Sequence, residues 1–214
     1  MMTVEKYVSR LRQRFAQHAH AENAGHMARY MKGQFVFFGI KTPQRKALVK
    51  EQLAELGRPE DWTALGKHLW EAPQREMQYA FNDLLEPVIR KQSPVLLDLF
   101  EELIQRKSWW DTVDFLAPRL AGRLLLLQPE LLEEYPDRWI EYDNFWLQRA
   151  AILCQLRWKA ETDEARLFHY IRRRTDSGEF FVQKGAGWAL REYSKVKPEA
   201  VQAFVEATQL PPLT

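Results

Sequence analysis

The chain has 214 residues, 46% apolar and 28% charged, which is enough to bury a full core and excludes a disordered chain. A formal net charge of only +2 excludes bulk basicity as the basis of nucleic-acid binding, so such a role needs local patches. A single cysteine, Cys154, excludes an intramolecular disulfide framework and suits a reducing cytoplasm, and the 8 tryptophans are more than a small core ordinarily uses.

In chain order, the start Met1-Met2-Thr3-Val4-Glu5 leads into no apolar stretch of signal-peptide length. No apolar run approaches the length that spans a bilayer. Apolar residues recur at helical steps in Val4-Tyr7-Val8-Leu11-Phe15. Phe35-Val36-Phe37-Phe38, bracketed by Gly33 and Gly39, is the one β-rich run, and it reads as a buried loop or turn. Prolines at Thr42-Pro43, Ala72-Pro73, Ser93-Pro94 and Gln128-Pro129 mark helix starts, which predicts helices of about 10–18 residues. Leu96-Leu99-Phe100-Leu103 and Leu167-Tyr170-Ile171 continue the helical spacing. No low-complexity linker divides the chain, so residues 1–214 are expected to form a single domain.

An internal period runs through these helices. Gln78-Tyr79-Ala80, Gln148-Arg149-Ala150 and Gln183-Lys184-Gly185 align, and Val113-Asp114-Phe115 fills the missing register. Tyr79, Asp114, Arg149 and Lys184 thus occupy one equivalent position in four successive units. An all-helical period of this size predicts stacked helix pairs, an all-α solenoid of the HEAT-like kind. Equivalent residues of such a solenoid line one concave face. A varied polar row there suggests a binding surface.

Two segments carry chemistry. In Ser108-Trp109-Trp110-Asp111-Thr112-Val113-Asp114, Trp110 and Asp114 share a helix face, and Trp109 and Val113 point inward. Asp111 reads as a carboxylate serving the helix start. Asp114 stands mid-helix, where aspartate is a poor choice; it is either functional or the structural ion-pair partner of Arg149. In Phe180-Phe181-Val182-Gln183-Lys184-Gly185-Ala186-Gly187-Trp188, the residues Phe180, Lys184 and Trp188 share a face. Gly185 and Gly187 each lower helix propensity by about 1 kcal/mol relative to alanine, which suggests close approach of a helix or ligand. Phe145 and Arg149, with Trp146 beside them, make a third face.

Aromatics interleaved with bases and one acid suit a cationic, planar or sugar-phosphate ligand. On pattern alone they suit a protein hot spot equally well. Arg157 and Lys159 flanking Trp158, Arg172-Arg173-Arg174, and Arg191 with Lys195 and Lys197 bias the C-terminal half toward phosphate. The histidines lack metal-ligand spacing, Cys154 lies on an apolar face, and no metal or cofactor is expected.

The strings Met27 to Met31, Phe38-Gly39-Ile40-Lys41-Thr42-Pro43, Lys107 to Asp114, Trp146 to Ala151, and Phe180 to Lys184 with Gly187-Trp188-Ala189-Leu190-Arg191-Glu192-Tyr193 occur in an order that resembles the AlkD-like DNA alkylation repair glycosylases, built of HEAT-like repeats. The resemblance runs from about residue 5 to the last residue. It implies hydrolysis of the N-glycosidic bond of 7-alkylguanine and 3-alkyladenine in double-stranded alkylated DNA, without base flipping. It implies Asp114, Trp110 and Trp188 as catalytic, with Arg149 close by and Tyr30 touching the DNA; Phe180 and Lys184, on the shared face read from spacing, join Tyr30 and Arg149 as DNA-binding. A monomer in a bacterial-type cytoplasm, on the nucleoid when DNA is bound, goes with that reading. Members usually continue for a further helical segment, so the stop at Leu210-Pro211-Pro212-Leu213-Thr214 suggests truncation. The other reading is a non-catalytic HEAT-like module that binds DNA or a protein partner.

Overall fold

The computed structural model describes residues 2–214. Helix accounts for 69% of the chain, and no strand occurs among the described residues beyond an isolated bridge between Val36 and Gln74. The chain divides into two compact units, 1–88 and 89–214.

The first unit holds α1 (Val4–Gln17), α2 (Ala21–Tyr30), α3 (Thr42–Leu56), α4 (Trp62–Glu71) and α5 (Arg75–Leu85). Thr3 caps α1 and Asp61 caps α4, each side chain accepting a backbone N–H of the first turn. Helix α1 packs on α4, and α4 on α5, with Leu11, Phe15, Leu65, Leu69, Trp70, Met77 and Phe81 all essentially inaccessible to solvent. Among the described residues, α2 has no buried side chain. What anchors its start is the 38–40 loop. His20 N–H donates to the Phe38 carbonyl at 2.8 Å, and a Cβ on Gly39 would stand 2.1 Å from the His20 carbonyl oxygen. Gly39 also has φ +88°, so only glycine fits. Glu76, fully buried, accepts the N–H groups of Phe38, Gly39 and Ile40 at 3.0, 2.8 and 3.1 Å.

The Phe35–Phe38 run is therefore a loop, as expected, but it is not buried throughout. Phe38 is buried, whereas Val36 is 57% exposed because its backbone, not its side chain, is held, its carbonyl accepting from Arg75 N–H.

The second unit holds α6 (Leu96–Gln105), α7 (Trp110–Phe115), α8 (Gly122–Leu127), α9 (Pro136–Trp139), α10 (Phe145–Leu153), α11 (Glu164–Arg172), α12 (Phe180–Ser194) and α13 (Pro198–Ala207). Its core runs through Phe100, Leu103, Val113, Leu120, Trp139, Leu147, Ala150 and Leu153. Helices α7, α8 and α9, of six, six and four residues, fall short of the expected 10–18; α7 and α8 are the two ends of one run divided by a π-helical stretch. Two helix starts also lie beyond their prolines: α5 begins at Arg75 and α6 at Leu96.

The sequence period has a physical counterpart. Helices α5, α7, α10 and α12 begin at Arg75, Trp110, Phe145 and Phe180, successive starts being 35 residues apart, the same separation as Asp114 and Arg149. The repeated glutamine is a brace in the three repeats that carry it. Gln78, Gln148 and Gln183 each donate from Nε2 to the carbonyl six residues earlier, those of Ala72, Tyr142 and Ser177. Each closes the turn that leads into its helix. In the second unit, successive repeats are also tied by phenols on acids: Tyr135 on Asp98, Tyr170 on Asp137 and Tyr193 on Glu164.

Candidate functional site

Asp114 lies in the second unit, on a helical run that extends from Trp110 to Leu127 through a π-helical stretch at Leu116–Ala121. Pro118 is the cause. It has no N–H for the Asp114 carbonyl four residues earlier, and its ring crowds that carbonyl, so the backbone widens. The carboxylate thus sits on the turn before a local distortion. Trp110 precedes it by one turn on the same face. Asp111 lies in the first turn of α7, where its charge favours the helix dipole, but the N-cap residue is Trp109. Val113 is fully buried, and Trp109 joins an aromatic cluster with Trp146 and Phe181 at centroid distances of 5.9 and 5.2 Å.

Arg149 comes from α10. Its Nε donates to Asp114 Oδ1 at 2.7 Å, its Nη2 to Oδ2 at 2.8 Å, and its Nη1 to the Phe181 carbonyl. The side chain is 5% exposed, against 18% for Asp114. The Arg149 guanidinium is thus buried and turned to the carboxylate and the α12 backbone. Gly185 makes the approach possible: a Cβ there would stand 3.1 Å from Arg149 Nη1 and 3.4 Å from its Cγ. Gly187 is occupied differently, its face meeting the carbonyl of Thr214.

Burial pushes the Asp114 carboxyl above its ordinary range; the Arg149 bonds and charge pull it back, and the neighbouring Asp111 adds to the rise. Each Asp114 oxygen has two lone pairs and gives one to Arg149, so acceptor capacity remains on its exposed side.

Trp188 shares with Asp114 the lining of a cleft of about 690 Å³. Glu192, one turn on, is held below its ordinary range chiefly by its hydrogen bond with Lys195. Lys184 is exposed, and Phe180 is 53% exposed with its ring against Phe181. The structure thus brings Asp114, Arg149 and Trp188 together in the second unit, with Trp110, Phe180 and Lys184 on the helices that carry them. Tyr30 ends α2 in the first unit, 69% exposed. Among the described residues, no group of three or more His, Cys, Asp or Glu is placed to hold a metal ion.

A buried arginine thus holds one carboxylate beside a cleft that Trp188 and several cations line. The sequence profile of the DNA alkylation repair enzyme family matches residues 11–214. The chain belongs to that family, and it is an enzyme of DNA repair. It is similar to a solved structure described as a predicted DNA alkylation repair enzyme from Enterococcus faecalis, with 33% identity and a TM-score of 0.83 over 91% of this chain and 92% of that one. Comparison with proteins of curated function gives no match. No helix among the described residues is long and apolar enough to cross a membrane.

Sequence reasoning did not find Pro118 as the source of the π-stretch, nor Arg119 and Arg123 in the cleft lining. The signal for the first was present, a proline four residues after the aspartate.

Proposed function

We propose that the protein is a DNA glycosylase that hydrolyses the N-glycosidic bond of cationic alkylpurines, 7-alkylguanine and 3-alkyladenine, in duplex DNA. The observation that carries this is Asp114, buried enough to lose most of its solvent, oriented by Arg149, and sharing its cleft with Trp188.

An alkylated purine already bears the positive charge that makes it a leaving group. As the C1′–N bond breaks, its electron pair goes to the purine and neutralises that charge, and cationic character passes to the sugar. Asp114, only 18% exposed, opposes that cation where little solvent screens its charge. Water adds to C1′, and its proton goes to Asp114, whose raised affinity for a proton suits the task. The faces of Trp110 and Trp188 favour the cationic sugar. Arg149 keeps the carboxylate in one orientation and is a positioning residue.

The fold in this reading is a HEAT-like helical solenoid, 1–214 a single repeat domain, acting as a monomer on the duplex in the cytoplasm and at the nucleoid. Tyr30, Phe180 and Lys184 contact the DNA, with Arg149 on the same binding face through the carboxylate it orients, and the base stays in the stack. The second reading, a non-catalytic module, draws on the same ion pair, since a saturated Asp–Arg pair also serves structure alone. Release of 7-methylguanine from methylated duplex DNA separates them: the enzyme releases it and loses the activity in Asp114→Asn, whereas a binding module releases none.

A further inference from the structure

Asp114 sits on a support that is weak by itself. Helix α7 has six residues, its start has no side-chain cap, and it runs straight into the π-stretch. A helix that short is not stable alone, so the position of Asp114 depends on what holds the two ends of the run that carries it. One end is held by the pair with Arg149 of α10. The other end, beyond the π-stretch, is held at the same helix.

Gly122 opens α8, and a Cβ there would stand 2.0 Å from the carbonyl oxygen of Cys154, the C-cap of α10. The run and α10 therefore meet backbone to backbone. Trp158 locks the contact. It is 6% exposed, and its indole N–H donates to the Gly122 carbonyl at 2.8 Å. The loop that carries it is braced in turn. The Trp158 backbone N–H donates to the Gln155 carbonyl at 2.9 Å, and the Gln155 side chain, in a residue 3% exposed, accepts from Asp163 N–H at 2.7 Å.

The π-stretch is what lets one run make both ties. Gly122 follows Asp114 by eight residues, which an unbroken α-helix turns by about 80°. A π-turn holds one residue more, and the Gly122 N–H accordingly donates to the Ala117 carbonyl, five residues back. That extra residue turns everything after it back by about 100°, which brings Gly122 to within about 20° of the Asp114 direction. Both residues then face α10, one meeting Arg149 and the other Cys154.

We infer that Trp158 and Gly122 are positioning residues for Asp114: by fixing the far end of the run to the end of α10, they keep the carboxylate at bonding distance from Arg149. Neither of them lines the cleft. The effect on rate rests on the function proposed above, and the effect on the carboxyl rests on the geometry alone. When the tie loosens, Arg149 draws away, its lowering influence weakens, and Asp114 titrates higher. The charged groups around Asp114 are Asp111 on its own helix, Arg149 on α10, Arg119 and Arg123 along the run, Arg157 and Lys159 on the loop, and Glu192 of α12 with Lys195. Trp158→Phe alters none of these charges, so a shift reports geometry.

Trp158→Phe keeps an aromatic ring and removes the N–H. Trp70→Phe, at a buried indole of the first unit, is the control, and thermal unfolding checks that each variant folds. The titration of Asp114 is followed by carbon NMR of aspartate-labelled protein, with the signal assigned by its absence in Asp114→Asn. Release of 7-methylguanine is timed under single-turnover conditions. Trp158→Phe is expected to raise the Asp114 midpoint by at least roughly half a pH unit and to slow release at least roughly threefold, while the control changes neither. Gly122→Ala loosens the tie from its other side and should also raise the midpoint, which gives a second, independent reading. A midpoint unchanged in Trp158→Phe, or moved equally by the control, overturns the inference. So does slower release at an unchanged midpoint, which would make Trp158 a residue of the fold alone. A wild-type protein that releases no 7-methylguanine, with the midpoint still moving in Trp158→Phe, supports the positioning and removes the glycosylase reading.

Discussion

Arg149 holds both oxygens of Asp114, through Nε at 2.7 Å and Nη2 at 2.8 Å, and its remaining terminal nitrogen is tied to the α12 backbone at Phe181. The carboxylate is therefore oriented from the protein side, and its partly exposed side is left to the cleft. Such a pair is asymmetric in its consequences. Removing one partner of a buried pair costs about 3–5 kcal/mol, because the other charge is left uncompensated. Asp114→Asn retains an acceptor for Arg149 and loses the charge. Release of 7-methylguanine under single-turnover conditions should fall at least roughly a hundredfold, with duplex affinity retained. A variant that excises like wild type sinks the assignment of Asp114.

The pH dependence follows from the same carboxyl. Burial raises it above the ordinary value of 3.8, and Arg149 opposes the rise. Protonated Asp114 neither accepts the water proton nor opposes the sugar cation, so the rate should fall as pH drops, with a midpoint above 3.8. Arg149→Gln removes the lowering influence and should move the midpoint higher still. Stability runs the opposite way: with the folded value raised, the contribution of Asp114 is fully present below its unfolded value and is lost as pH rises through the folded one. A rate midpoint at or below the ordinary value, or a downward move in Arg149→Gln, contradicts this account.

Much of the second unit was legible because its signals are local. The 35-residue alignment placed Asp114 and Arg149 on one ruler, and the four helices that carry the ruler do begin at that interval. The ion pair was one of the two readings open for Asp114. Gly185 announced a close approach but not its identity, since a missing side chain says only that something is near. Arg149 was harder. Arginine in an aromatic-rich segment looks the same whether it faces phosphate or a buried acid, and only packing distinguishes them. Glu76 gave no signal at all: its partners are three backbone N–H groups of a loop 36–38 residues earlier, and backbone carries no sequence mark.

Gly185 offers a test of positioning apart from folding. An alanine Cβ meets Arg149 Nη1 at 3.1 Å, so the guanidinium must give by a few tenths of an ångström. The substitution also gains up to about 1 kcal/mol of helix propensity, which offsets the contact in the stability balance. Gly185→Ala should therefore leave Tm within about 4 °C of wild type while slowing excision at least roughly fivefold. An unchanged rate would mean that the placement of Arg149 tolerates the shift and that the geometry of the pair is not critical.

Glu76 tests the first unit. Its carboxylate satisfies the N–H groups of Phe38, Gly39 and Ile40, on the loop that anchors the start of α2. Alanine leaves three buried donors without an acceptor, at about 1–3 kcal/mol each. Glutamine keeps one oxygen and turns an amide N–H₂ toward a donor, so its penalty should be smaller. Thermal unfolding should rank wild type above Glu76→Gln and Glu76→Gln above Glu76→Ala. Equal Tm values for wild type and Glu76→Ala would show that the loop finds other acceptors.

The range of lesions follows from what surrounds Asp114. Its neighbours are Arg149, Asp111, the aromatic faces and the cations of the cleft, and the other carboxylate of the lining, Glu192, is held below its ordinary range by Lys195 at 2.7 Å, which favours its charged form over the neutral acid that would protonate a departing purine. Bond breaking then depends on a base that already carries its positive charge. Hypoxanthine, uracil and ethenoadenine leave as anions unless protonated, so they should remain uncut. If the base stays in the stack, a large substituent on guanine N7 meets no closed wall and should be tolerated. Single-turnover release from duplexes carrying 7-methylguanine, a bulky N7 adduct and hypoxanthine distinguishes the possibilities. Hypoxanthine cut at a rate comparable to 7-methylguanine would require an acid that this site does not provide, and the mechanism would fail. Rejection of every bulky adduct, with 7-methylguanine still released, would place the base in an enclosed pocket and remove the proposal that it stays in the duplex.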